Sequence, residues 1–340
     1  MNNPRWAIQS RRFAVYAWSV LAYNILVILW GVVVRVTGSG AGCGEHWPLC
    51  QGVVIPHAAQ IATLIEFAHR ATSGVAVVLV LGLVFLGFRW FSFGDPVRRY
   101  AAAAAFFTLT EGLIGAALVL FGEVGNNAST TRVLILSLHL VNTFLLLAAL
   151  ALTARSASAT APTRHDGAGA PDQPSTRSIG LYISYGTGSL GALVVAVTGT
   201  IAALGDTLFH ATSLAQGFQW DFSGSPNTLL RLRIIHPAIA VVVGAFLLVL
   251  GLRTVRSASS AVARRLAAYL LVLILLQFAF GLLNLLLLTP LWMQILHLLT
   301  ADLVWIALVL LSAEMLGYVQ PAAAAEGSER ARNQRPVYQA

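Results

Sequence analysis

The chain has 340 residues, of which 57% are hydrophobic and 10% charged; its mean hydropathy of +0.77 excludes a water-soluble enzyme. With 29 Gly, 12 Pro and two Cys, the composition also excludes collagen, extended disorder and a disulfide scaffold. The net charge of +8 is carried without aromatic-interleaved basic patches, so it speaks for topology and lipid headgroups, and no nucleic-acid partner is expected.

A membrane-spanning helix needs roughly 20 mostly apolar residues. Eight stretches meet that length, near residues 13–35, 65–88, 101–122, 132–153, 179–203, 230–252, 266–288 and 293–317. Runs such as LLVLILLQFAFGLLNLLLL are too long for strands and lack the alternation of an outer-membrane barrel. The fold expected is therefore an all-α integral membrane protein. The first stretch exceeds the length of a cleaved signal and reads as a retained helix. All 21 basic residues are Arg, and sixteen fall in the amino-terminal tail (Arg5, Arg11, Arg12), the second, fourth and sixth connections, and the carboxy-terminal tail (Arg330, Arg332, Arg335). Cytoplasmic loops retain such an excess, so a multi-pass protein of the cell membrane with both termini cytoplasmic is expected.

Residues 154–178, rich in Ala, Ser, Pro and Gly, read as a flexible cytoplasmic linker, and residues 318–340 as a disordered cytoplasmic tail. The linker separates a first four-helix half, 1–153, from a second, 179–317. The halves look alike. Val36-Thr37-Gly38 at the end of span one returns as Val197-Thr198-Gly199, read as the end of span five. Each half then has a His near the start of its second span, Gly115 or Gly281 in its third, and a His near the start of its fourth. Halves with an even number of spans share one orientation, so the expected architecture is two parallel-repeat four-helix bundles.

Of the eight His, His46, His57, His165 and His210 fall in connections and read as solvated residues. His69, His139, His236 and His297 fall within spans two, four, six and eight, where an ionisable side chain is costly and points to function. Each is expected four to seven residues after its span begins, forming one layer near the outer face. Two imidazoles facing each other across a bundle suit a haem iron, and each half supplies one pair. Zinc would need three or four tight ligands.

The halves differ in one respect. Glu66 stands three residues before His69, on the same helix face, whereas Arg233 stands three before His236. A carboxylate in that setting either does proton chemistry or pairs with a base, for which Arg70 is the candidate. The first outer loop, RVTGSGAGCGEHWPLCQGVVIP, carries Cys43 and Cys50 on the oxidising side. They read as a disulfide pinning the loop or as a redox-active thiol pair.

Thr37-Gly38-Ser39-Gly40, Cys43, Trp47-Pro48, Cys50 and Gly52, followed by Glu66-x-x-His69-Arg70, resemble the haem A synthase family, bacterial type with a Cys pair in the first outer loop. The four-plus-four repeat is similar along about 300 residues. That resemblance implies an oxidoreductase of cytochrome oxidase assembly that converts the C8 methyl of haem O to the formyl group of haem A. By position it implies His236 and His297 as ligands of a resident haem b, His69 and His139 flanking the substrate haem, and Glu66 as the catalytic carboxylate. It also implies a haem O synthase and an electron donor as partners; a homo-oligomer is compatible with the sequence. The chain departs from the family pattern at Pro237, where Arg is usual, and in lacking a second Cys pair in the third outer loop. Pro disfavours helix at the residue before it, so His236 is expected in the first turn of its helix, with Arg231 or Arg233 left to bind propionates. The competing readings are a di-haem b-type cytochrome that only carries electrons, and a transporter, for which Glu111 and Asp302 are the intramembrane acids.

Overall fold

The computed structural model describes residues 4–57, 60–160, 179–222 and 228–318. Eight of its helices are long and apolar enough to cross a membrane: α1 (Pro4–Val36), α2 (Ile61–Trp90), α3 (Pro96–Leu120), α4 (Thr130–Thr160), α5 (Ile179–Leu208), α8 (Ile235–Ser257), α9 (Ala261–Leu286) and α10 (Leu291–Leu316). Two shorter helices lie between α5 and α8: α6 (Leu214–Phe222), in a connection that the sequence reading leaves as loop, and α7 (Thr228–Arg233), which takes the first residues of the span read as 230–252. Among the described residues there is no β-strand. The chain is an all-α, multi-pass membrane protein.

Helix ends follow local chemistry. Asp95 caps α3 by accepting the Val97 N–H at 2.8 Å, with Pro96 at the first helical position. Ser260 caps α9 through the Ala263 N–H at 3.2 Å. Gly317 ends α10 in the left-handed conformation that glycine adopts without strain, at φ 64°. Several spans begin earlier than hydropathy alone predicts, because polar first turns extend beyond the apolar stretch. The expected linker is also shorter at its start, since α4 continues to Thr160; residues 161–178, with His165, and the tail from 319 onward lie outside the described residues.

The helices of the first half pack in a ring, α1 on α2, α2 on α3, α3 on α4 and α4 on α1; α5, α8, α9 and α10 repeat that ring. Each ring is tightly packed at the end away from the four His. In the first, Phe13, Ala17, Leu83, Val97, Ala101, Leu147 and Leu150 are fully buried together. In the second, Tyr185, Ala263, Ala267, Leu270 and Leu311 do the same. α10 joins the halves: Trp305 stacks on Phe144 at 5.3 Å and donates its indole N–H to the Phe144 carbonyl at 2.6 Å. At the opposite end Arg35 of α1 donates to Ala203 O, Thr207 Oγ1 and Gln294 Oε1.

One expectation about the repeat is corrected. Val197-Thr198-Gly199 does not end its span; α5 runs on to Leu208. A Cβ at Gly199 would stand 2.9 Å from His236 Cε1, and the position that meets His69 in this way is Gly31, at 3.5 Å. The tripeptide match is therefore two helical turns out of register with the contacts, because similarity of three residues carries no information about which face packs on which.

Candidate functional site

One end of the two rings holds the four spanning His as pairs. His69 of α2 and His139 of α4 are near enough for their charges to interact, and so are His236 of α8 and His297 of α10. His69, His139 and His297 stand eight, nine and six residues into their helices. This is deeper than the four to seven expected for two of the three, since α2 and α4 begin before their apolar stretches. His236 lies in the first turn of α8, as Pro237 dictates, and eight residues after the start of α7. The break between α7 and α8 at Ile234 thus keeps the sequence position of His236 while interrupting the helix before it.

All four imidazoles are half-buried, and the Nδ1 atoms of His69, His139 and His297 are buried without a hydrogen bond. Unpaired buried ring nitrogens cost free energy; that of His139 has the Glu111 carboxylate beside it. Glycines border the rings on both sides: Gly199 and Gly281 would each place a Cβ 2.9 Å and 3.1 Å from His236 and His297, while Gly115, one turn beyond Glu111, has no neighbouring atom within 4 Å. Paired imidazoles bordered by small residues fit a flat macrocycle with a central iron.

Around the first pair the structure places two carboxylates. Glu66 is 3% exposed, and its Oε2 accepts the Cys43 N–H at 2.7 Å. Its Oε1 takes Arg70 Nη2 at 2.5 Å and Nε at 3.1 Å. Arg70 also donates to the carbonyls of His46 and Leu49. The alternative of pairing with Arg70 is thus the geometry found. Cys43 and Cys50 form a disulfide, a state common to both readings of that loop. The loop lies so close to the first turn of α2 that a Cβ at Gly42 would meet the Ala62 carbonyl and Thr63 N at 2.6 Å. Only glycine permits that approach. Thr63 Oγ1 then bonds the Gly42 carbonyl at 2.8 Å.

The second carboxylate, Glu111 of α3, enters the sequence reading only as a transporter acid. Its Oε1 lies 3.1 Å from His139 Nδ1, at ion-pair distance but without hydrogen-bond alignment. Asn142 Nδ2 donates to its Oε2 at 2.6 Å, and the Thr143 hydroxyl donates to its Oε1. An acid within a span is a signal available in the sequence, but its partner is a tertiary contact.

The second half is built with other chemistry. Arg233, in the position of Glu66, is bonded to Asp221, to Asp206 at 3.3 Å and to the Gly217 carbonyl at 3.2 Å. Its guanidinium is committed to the α5 end and α6, which corrects the expectation that it is free for a propionate. The Arg231 side chain lies outside the described residues. Gln277, in the position of Glu111, approaches His297 Nε2 at 3.3 Å. His46, His57 and His210 are exposed, as expected of connecting segments. Among the described residues no three His, Cys, Asp or Glu side chains converge as a metal-ion site. Asp302 is fully buried on α10, with neither oxygen hydrogen-bonded.

The family COX15-CtaA, described as "Cytochrome oxidase assembly protein", matches residues 14–309. A Thermus thermophilus protein named "Protoheme IX farnesyltransferase" is 46% identical over 316 residues, covering 93% of this chain and 50% of that protein. Its counterpart in a second strain of the same organism is 45% identical over the same length. The chain spans about half the length of these curated relatives. A "Heme A synthase" of Bacillus cereus is 38% identical over 100 residues, 29% of this chain and 32% of that protein.

Proposed function

Because the chain belongs to the COX15-CtaA family of cytochrome oxidase assembly proteins, we propose that it is a haem A synthase, oxidising the C8 methyl of haem O by successive hydroxylations to the formyl group of haem A. The observation that carries this reading is the asymmetry between two like bundles. Both hold a His pair, but acids stand at Glu66 and Glu111 where the other half has Arg233 and Gln277. Two sites that only pass electrons need no such difference, which disfavours the di-haem cytochrome.

In this reading His69 and His139 would flank the substrate porphyrin. Glu66 is the catalytic carboxylate. Arg70 and the Cys43 amide orient it, and Oε2, which accepts only the Cys43 N–H, keeps a further lone pair with which to take up and pass on a proton as the methyl is oxidised. Each hydroxylation takes dioxygen as the oxidant with two electrons from the donor and two protons, one oxygen atom entering the methyl C–H bond and the other leaving as water. The second hydroxylation gives a geminal diol, which loses water to the aldehyde. His236 and His297 fit a resident haem b; such a group supplies one-electron transfer when bound. The first half, 1–153, is then the substrate half and the second, 179–317, the resident-haem half, with both termini cytoplasmic. A haem O synthase and an electron donor are the partners this chemistry requires.

The test is expression in a host that makes haem O but no haem A, followed by extraction and mass identification of membrane haems. Haem A, with the alcohol as a minor species, supports the proposal. Haem O left unchanged, given a competent electron donor, refutes it. Conversion of haem B to haem O in a host lacking its own synthase would instead support the farnesyltransferase activity for which the Thermus relatives are named.

A further inference from the structure

We propose that Glu111 is a positioning residue for His139, holding its Nδ1 side so that Nε2 is presented to an iron. This rests on the haem reading of the first half and concerns a residue that the reading itself leaves unassigned. The carboxylate reaches His139 Nδ1 with Oε1 at 3.1 Å, and the remaining contacts show that its place is built. Asn142 Nδ2 donates to Glu111 Oε2 at 2.6 Å and to the Phe107 carbonyl at 2.8 Å, while Asn142 Oδ1 accepts the Thr110 hydroxyl at 2.7 Å. The Thr143 hydroxyl, one turn beyond His139, donates to Glu111 Oε1. Asn142 and Thr143 are themselves buried, at 9% and 6% exposure. An acid on a membrane helix is costly, and this one is oriented by side chains from both α3 and α4 toward a single imidazole.

The second half supplies the comparison. Glu111 stands four residues before Gly115, as Gln277 stands four before Gly281, and both side chains approach the His of the neighbouring fourth span. Gln277, however, meets His297 at Nε2, leaving Nδ1 without a partner. The positions of Asn142 and Thr143 relative to His139 are taken by Thr300 and Ala301 relative to His297. Thr300 bonds within its own helix, to the Leu296 carbonyl, and Ala301 has no hydrogen-bonding side chain. The carboxylate and its orienting groups are thus present in one bundle and absent from the other. A carboxylate on the outer nitrogen of a ligating His fixes the tautomer and raises the donor strength of the inner nitrogen, which lowers the reduction potential of the bound iron. The two haem sites are therefore distinguished by one carboxylate-to-amide difference.

The experiment uses the full chain in detergent, loaded with haem B, and reads each haem's reduction potential and low-spin ferric electron paramagnetic resonance spectrum. Signals lost in His139→Ala belong to the first half. In Glu111→Gln the first-half haem is expected to shift to a more positive potential with altered g values, and the second-half haem to stay unchanged. In Gln277→Glu the second-half haem is expected to shift to a more negative potential. A first-half haem that is indistinguishable between wild type and Glu111→Gln overturns the assignment. Should that variant fail to load, an unchanged second-half potential in Gln277→Glu overturns it. A wild-type chain with no haem signal that responds to His139→Ala removes the haem reading itself, an outcome distinct from both.

Discussion

The Cys43 N–H is bonded to Glu66 Oε2 at 2.7 Å, so the disulfide-closed loop between α1 and α2 and the acid one turn before His69 form a single unit. The loop is fastened to α2 at further points, through Thr63 to the Gly42 carbonyl and through Arg70 to the His46 and Leu49 carbonyls. Opening the disulfide therefore releases the restraint on a buried carboxylate as well as on a surface segment.

The double variant Cys43→Ser/Cys50→Ser is expected to lose about 2–3 kcal/mol of stability, read as a lower midpoint of thermal unfolding in detergent. Proteolysis within residues 43–57 should accelerate, and haem A formation should fall about tenfold or more while haem content is kept. Full turnover in the double variant would show that the loop does not position Glu66.

Glu66→Gln keeps an oxygen for the Cys43 amide but faces Arg70 with a neutral group in place of a charged one. Haem binding is expected to persist and product formation to drop by at least about a hundredfold, the scale of general acid–base assistance. Pyridine haemochrome content beside product yield separates the two effects. Loss of both together would assign Glu66 a structural role.

Two glycines make a paired prediction. At Gly199 an added methyl would lie 2.9 Å from His236 Cε1, closer than side-chain carbons tolerate, whereas at Gly31 it would lie 3.5 Å from His69 Cε1, ordinary contact. Gly199→Ala is expected to displace the His236 ring and lower second-half haem occupancy, at a cost of about 1–3 kcal/mol. Gly31→Ala should leave first-half occupancy near wild type. Equal effects in the two variants would contradict the contact geometry.

Arg233 links the end of α5 to α6 through Asp206 and Asp221. Arg233→Ala leaves both acids without their guanidinium, and breaking a largely buried ion pair costs about 3–5 kcal/mol. The expected result is faster proteolysis within residues 209–222, with first-half haem unaffected. Unchanged protection of that segment would mean that other contacts hold it.

The spans are legible in the sequence because the thickness of the hydrocarbon layer imposes their length, and the four His stand out because ionisable groups are scarce there. Pro237 is legible too: its effect on the preceding residue is local, and α8 begins where that effect requires. Helix register is not. The Val-Thr-Gly match aligns Gly38 with Gly199, whereas the contacts align Gly31 with it, since packing depends on facing side chains. Glu111 is visible as an intramembrane acid but not as a partner of His139, because α3 has to be laid against α4 before the carboxylate and the imidazole meet. Arg233 reads as free because Asp206 and Asp221 belong to segments on either side of an outer turn.

The division of labour between the bundles is tested most directly by measuring haem content in variants purified from a host that makes haem B but no haem O. The wild type is expected to retain a tightly bound haem b that is lost in His236→Ala and in His297→Ala and kept in His69→Ala and in His139→Ala. Retention of that haem in the second-half variants with loss in the first-half variants would contradict the assignment and exchange the roles of the two sites.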